Sequence, residues 1–312
     1  MQEPLTMTSA GEAAPEKPFS SVRVLLAGAI DYAGLFPPSA VSMSEAVANY
    51  AAYKHGEYSW MLGRFVVTAS RLNEFAAEAA MVLKKGEKPW HVAVVAGDDI
   101  ELSTYAVVEF NAVERTRFIA DVMEVKAPTV EDIENAYRII PRTVTAYYEV
   151  PLTERLPELI ATLALRDQRA KIRTGGITPE AFPKEHDIVR FVRACSAANL
   201  PFKATAGLHH PLRCHRPLTY EPDAVTGRMH GFLNLFLMAA FVRDGRHIAL
   251  LDELMAARDA SEFRFDETGV RWRNEYVLTL WQLQQARLSG IQSFGSCSFV
   301  EPIVDLKELG IF

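Results

Sequence analysis

Lys171 and Arg173 stand two residues apart in the phrase "AKIRTGG", and Lys203 stands in a similar phrase, "PFKATAGL", further along the chain. Both phrases read as short strands that break at glycine. Residues two apart on a strand share a face, so Lys171 points the same way as Arg173, and Lys203 the same way as Thr205. The two lysines hold matching places, each three residues before the point where its strand turns, at Thr174 and Ala206. If the strands are neighbours, about 4.8 Å apart, and both lysines face one interior, the ammonium groups approach to roughly 6 Å. At an effective dielectric of about 20 that repulsion costs about 3 kcal/mol, and burial adds to it. One amine is then expected to be neutral near pH 7, the form that attacks a carbonyl carbon and gives a Schiff base. The plainer alternative is that each lysine reaches solvent or pairs with an acid such as Glu124 or Glu149.

Glycine follows both lysines, as Gly175 and Gly176 after the first and Gly207 after the second, and "FGSCSF" adds Gly295, Ser296, Cys297 and Ser298. Backbone N–H groups at such strand ends can hold a phosphate or carboxylate, although the needs of a turn explain glycine equally well. Glu149, at the end of "AYYEV", is a candidate pocket acid. The stretch "GLHHPLRCH" gathers His209, His210, Cys214 and His215. Imidazole and thiolate ligands suit zinc, and with Asp31 or Glu124 they would make a metal-dependent hydrolase or lyase. Their spacing matches no familiar zinc signature, and loop histidines are commonly plain polar residues. The lysine chemistry itself needs no cofactor.

Such groups need a scaffold that aims them at one point. From residue 21 onward, eight β-branched or aromatic runs alternate with helix-period stretches. The runs are "VRVLLAGAID", "RFVVTAS", "WHVAVVAG", "RFIADVMEV", "TVTAYYEV", "AKIRTGG", "PFKATAGL" and "IQSFGSCSF". Alternating strands and helices call for a parallel sheet, and eight such units call for a closed α/β (β/α)8 barrel, with its active site at the C-terminal strand ends. An open doubly wound sheet is the structural rival, but "AGAIDYAG" lacks the GxGxxG turn. The expected organisation is a disordered tail over residues 1–20 and one barrel domain over 21–312. The barrel carries an insertion at about 211–290, before the eighth strand. Within it the pattern predicts helices over 230–242 and 248–258, a hairpin around Asp266–Gly269, and a helix from Glu275 to Arg287.

Composition narrows the partners. The chain has 312 residues, 49% hydrophobic, with 33 Lys and Arg against 39 Asp and Glu. A net charge of -6 without a basic block offers nucleic acid or an anionic membrane surface no footprint. The tail lacks a signal-peptide core, and the most apolar stretch, "FLNLFLMAAFV", falls short of a membrane span. Three scattered cysteines read as free thiols in a reducing cytoplasm. The expected partner is a small carbonyl substrate, and a homodimer is the default assembly.

Taken together, "IDYAGLFPP", "KIRTGG", "KATAGL" and "FGSCSF" resemble, in order and placement, phrases of the deoxyribose-phosphate aldolases, class I aldolases on a (β/α)8 barrel. The resemblance implies that Lys171 is the Schiff-base lysine and Lys203 the lysine that holds it neutral. It makes Asp31 a pocket carboxylate and has Gly175, Gly207, Gly295 and Ser298 line an anion pocket. For the proton-shuttling acid of the fourth strand, Asp121 and Glu124 compete. The sequence departs from the family at Ala206, where a glycine is expected, at Arg173, at His209 and His210, and at Cys297, which replaces a serine. The insertion is also foreign to it. A substrate other than a phosphorylated sugar is therefore equally in view, as is a barrel that binds a small molecule without chemistry.

Overall fold

The computed structural model describes residues 17–312. Of the expected tail, residues 1–16 lie outside the described residues, and from Ser20 the chain is helical. Eight parallel strands close a barrel: β1 (Ile30–Tyr32), β2 (Leu62–Thr68), β3 (Trp90–Val95), β4 (Phe118–Lys126), β5 (Thr145–Glu149), β6 (Arg169–Arg173), β7 (Phe202–Thr205) and the eighth stave, Ile291–Ser296. The helices between staves are α2 (Met43–His55), α3 (Leu72–Val82), α4 (Ile100–Glu114), α5 (Val130–Ile139), α6 (Leu156–Leu165), α7 (Glu185–Ala197) and α8 (Phe232–Arg243). The last helix of the chain, Val300–Glu308, follows the eighth stave. The predicted barrel is the fold.

One run is misread by periodicity. "VRVLLAGAID" is not a strand throughout, because Ser20–Leu26 forms helix α1, and β1 keeps only three residues. Val22, Leu25 and Leu26 are buried. Their i, i+3, i+4 spacing is helical, and that period wins over β-branching.

The insertion is richer than expected. A hairpin of β8 (Cys214–Pro217) and β9 (Thr226–Met229) precedes α8, and α9 (Ile248–Ala256) follows it. Next come three antiparallel strands: β10 (Phe263–Phe265), β11 (Gly269–Trp272) and β12 (Tyr276–Thr279). The helix expected from Glu275 begins only at Leu280, as α10 (Leu280–Ser289), so the eighth stave is β13. Arg273 and Asn274 both take positive φ and turn the chain back on β11. Thr279 and Gln282 then form a capping box that starts α10. Phe232 and Phe236 on α8 pack on Phe294 of β13, at ring separations of 5.0 and 5.9 Å, and fix that stave from outside.

Outward-facing strand residues and the inner helix faces form the main core. The barrel interior has its own division. Val66, Ala93, Val122 and Tyr147 make an apolar cluster on one side, joined by Ala33, Phe36 and Val95. Charged residues of β4 to β7 fill the other side.

Candidate active site

Register explains where those charges go. Glu149 pairs with Lys171, and Lys171 with Lys203, across β5, β6 and β7. The two lysines are therefore true equivalents in the ladder. Barrel staves are tilted by about 36°, so with strands about 4.8 Å apart each registered step drops about 3 Å along the barrel axis. The sequence of steps is visible in exposure: Glu149 is half-buried near the mouth, Lys171 is 5% exposed, and Lys203 is 1% exposed. Equal position in sequence thus gives unequal depth.

The consequence is two cavities rather than one. The upper cavity, of about 430 Å³, opens among the C-terminal strand ends and includes Lys171, Glu124, Arg173, Thr205 and His209 in its wall. Ala33, Phe36, Pro37 and Pro38 from the loop after β1, with Val66 and Val95, form its apolar side. The lower cavity, of about 240 Å³, lies at the N-terminal strand ends and has Lys203 and Asp31 in its wall. The expectation that both lysines face one cavity is corrected by stave tilt.

Glu124 stands between them. Its carboxylate receives Lys171 Nζ at 2.6 Å and Lys203 Nζ at 2.5 Å, one on each oxygen. Lys171 also reaches Glu149 at 2.9 Å, and Lys203 reaches Asp31 at 2.6 Å. The pairing alternative raised from sequence is what the chain adopts, and direct repulsion between the amines does not govern the site. Burial alone would raise the Glu124 carboxyl, but the two ammonium groups outweigh it and hold it at about 2. For Lys203, burial opposes the charge, yet Asp31 and Glu124 push it above the usual lysine range. Glu149 is likewise held below the usual carboxylate range, because Lys171 and Arg173 outweigh its burial.

The two acids of β4 stand in different places. Asp121 sits low, where Arg64 Nε and Nη2 both donate to it at 2.8 Å and His91 lies at 2.9 Å. Only Glu124 reaches the lysines. Asp31 is 1% exposed, and besides Lys203 it receives Ser293 Oγ at 2.7 Å and the Arg64 N–H at 2.8 Å. It is a pocket carboxylate of the lower cavity, not of the one that Lys171 faces.

Gly175, Gly176, Gly207 and Gly295 all line the upper cavity. Two of them are required by packing. A Cβ on Gly175 would fall 2.9 Å from the Gly207 Cα and 2.4 Å from the Phe182 ring, and Gly207 has a φ of +72°. Ser298 departs from expectation. It lines a neighbouring groove, and its hydroxyl accepts the Glu301 N–H at 3.1 Å near the start of the last helix.

The histidines are not brought together. His209 lies against Cys297 Sγ at 3.7 Å and Glu301 at 3.5 Å. His210 faces Asp305, and His215 is exposed on β8. Among the described residues, no three His, Cys, Asp or Glu side chains are grouped to hold a metal ion. The proposed His209/His210/His215 cluster is corrected on that ground. Two departures from the aldolase pattern, His209 and Cys297, prove to be neighbours at the cavity wall. Burial would push the thiol up, but the His209 contact outweighs it and lowers the thiol, while His209 itself is raised.

Sequence reading missed the floor of the barrel: Arg64, Tyr147, Arg169, Ser293 and Arg287. Arg169 was open to detection, because it shares strand parity with Lys171 and Arg173. Arg287 comes from α10 and had no such signal. No known family model matches the chain, and no curated protein is similar to it.

Proposed function

We infer that the protein is a class I, Schiff-base lyase of aldolase type, acting on a small aldehyde or ketone in the upper cavity. The single observation that carries this reading is the environment of Lys171. It is a nearly buried amine at the mouth of a barrel, beside an open apolar wall, with a carboxylate within 2.9 Å on either side. The order of the phrases that resemble deoxyribose-phosphate aldolases supports it.

The chemistry follows from the hydrogen bonds. Lys171 gives one proton to water in the open cavity, and the free amine adds to the carbonyl carbon. A second nitrogen proton passes to the new alkoxide to give the carbinolamine, its hydroxyl takes a proton back from water and leaves as water, and an iminium remains with its charge held against Glu124. Cleavage of the adjacent carbon–carbon bond then needs a base for the substrate hydroxyl, a role within reach of Glu149 directly or through one water. Lys203 acts from below. It occupies the second oxygen of Glu124, so the carboxylate is divided between two cations and grips the Lys171 proton less than an unshared one would. Asp31 holds Lys203 in place and is a positioning residue. Arg173 is tied to Glu149 at 3.2 Å, and among the described residues lining the mouth no Lys or Arg stands unpaired. That favours a carbonyl substrate without a phosphate group. Three free cysteines suit a reducing compartment such as the cytoplasm.

The test is borohydride trapping with a panel of short aldehydes and ketones, read by intact mass and peptide mapping. A reduced adduct on Lys171, absent in Lys171→Met and present in Lys203→Arg, is expected. No adduct with any carbonyl, or an adduct that survives Lys171→Met, sinks the imine mechanism and leaves a barrel that binds without covalent chemistry.

A further inference from the structure

The lower cavity collects more positive charge than its carboxylates answer. Arg64, Arg169, Lys203 and Arg287 all line it, with Asp31 as the acid in its wall. Two of the four are satisfied. Arg64 is held by Asp121, and Lys203 by Asp31 and Glu124.

Arg169 and Arg287 have no carboxylate at ion-pair distance among the described residues. Arg169 Nη1 donates only to the Tyr147 hydroxyl, at 3.1 Å, with its guanidinium 5.6 Å from the Tyr147 ring centre. Arg287 reaches under the barrel from α10, and its Nη2 donates to the Ala27 carbonyl at 2.7 Å. Its Nη1 is buried and has no hydrogen-bond partner among the described residues. Burial outweighs the distant charge of Asp31 and lowers the Arg287 guanidinium to about 10. The Phe236 ring lies 5.2 Å from the guanidinium carbon, but a buried N–H without a partner is costly, and a fold that needed only to close its floor would place an apolar residue there.

We propose that the N-terminal cavity is a second ligand site that binds a small oxyanion of the phosphate or carboxylate class, clamped between Arg169 and Arg287. Guanidinium forks match the geometry of such oxyanions, with two parallel N–H donors each. Tyr147 and Gln292 stand in the same wall as further hydrogen-bonding groups. The volume of about 240 Å³ is that of about eight waters, enough for an anion of phosphate size with some of its hydration. Entry is from the barrel floor, where Gly28 is exposed and Arg64, Arg169 and Gln292 are half-buried. The site stands apart from the upper cavity and does not depend on imine chemistry there.

Titration calorimetry with inorganic phosphate, at constant ionic strength set by chloride, tests it, with thermal unfolding alongside. One phosphate per chain is expected, with Tm raised by about 5 °C at a hundredfold excess over Kd. Arg287→Met and Arg169→Gln should each weaken binding by tenfold or more, while Lys171→Met leaves it unchanged. Should either of the two fail to fold, Arg287→Lys and Arg169→Lys keep the charge, lose the fork, and should weaken binding several-fold. Absence of phosphate binding to the intact protein overturns the proposal. So does binding that survives the double variant, or binding lost with Arg173→Gln instead, which would put the anion at the mouth.

Discussion

At the C-terminal end of the barrel, Lys171 is flanked by Glu124 and Glu149, and Arg173 shares the second of these. At the N-terminal end, Arg169 and Arg287 face a cavity with no acid of their own. The two ends are joined by Lys203 and Glu124, which belong to both networks. Charge at the mouth is balanced before any substrate arrives, so a neutral carbonyl can enter without importing a counter-ion. The floor is unbalanced, and an anion would complete it. The difference shows that a row of cations does not define one kind of site. What matters is whether the fold has supplied their partners.

The strongest way to break this comparison is to remove one lysine from each side of Glu124. Lys203→Met leaves Asp31 and half of Glu124 buried without a cation, a loss of about 3–5 kcal/mol in the unfolding free energy. Lys171→Met leaves Glu124 on Lys203 and Glu149 on Arg173, and should cost about 1 kcal/mol or less. Urea unfolding followed by tryptophan fluorescence measures both. Equal destabilisation by the two would mean that the mouth and the floor are not distinct in the way their ion pairs indicate.

Acid titration is the next lever. Glu124 is depressed in the fold from an ordinary 4.5 to about 2. Its contribution is therefore present above the unfolded value and lost as pH falls from about 4.5 through 2. That displacement is worth about 3 kcal/mol, and Glu149 and Asp121, also depressed, add to the loss in the same direction. Lys203 is raised, so its contribution is complete below the ordinary lysine value of about 10.4 and is lost only above it. From these groups stability should hold level between about pH 5 and 10 and drop in acid, while the raised His209 gives a smaller loss as pH rises past neutrality. In Glu124→Gln the acid drop should shrink. A profile in the variant that matches the parent protein would show that the carboxylate is not what the two ammonium groups hold.

The sequence made the barrel readable because its signals are local. Seven of the eight runs are staves close to where their periodicity puts them, and the helical apolar spacing of "MSEAVANYAAYKH" is matched by a helix from end to end, Met43–His55. The parity of Lys171, Arg173, Lys203 and Thr205 was also legible, since alternation on a strand is a two-residue rule. Depth was not. Whether two equivalent side chains meet depends on stave tilt and closure, which no single strand encodes. For the same reason the sequence does not say which of Asp121 and Glu124 lies beside the lysines, because Arg64, which holds the first, comes from another stave. Arg287 lies outside any such rule, because it reaches the floor from a helix in the insertion. The third strand of the insertion's larger sheet was missed because Tyr276–Thr279 is short, although the "TLWQ" capping box that ends it is a readable signal.

The smallest effect concerns the rim of the upper cavity, where the chain departs from the aldolase phrase by having alanine for glycine. Ala206 takes a φ of +63°, in the left-handed region that side chains disfavour, and its carbonyl accepts the Thr174 hydroxyl at 2.7 Å. Left-handed backbone costs a non-glycine residue about 1–2 kcal/mol, while glycine loses about 0.5–1 kcal/mol more conformational entropy on folding. Ala206→Gly should therefore leave stability unchanged or raise it by up to about 1 kcal/mol, as read from the urea midpoint. No comparable gain is available at the floor, since no residue lining the lower cavity other than Gly28 has a positive φ. A loss of 1 kcal/mol or more on Ala206→Gly would mean that the methyl group packs at the rim in a way that outweighs the strain, and that Ala206 is held left-handed for packing and not for turning the chain over Lys171.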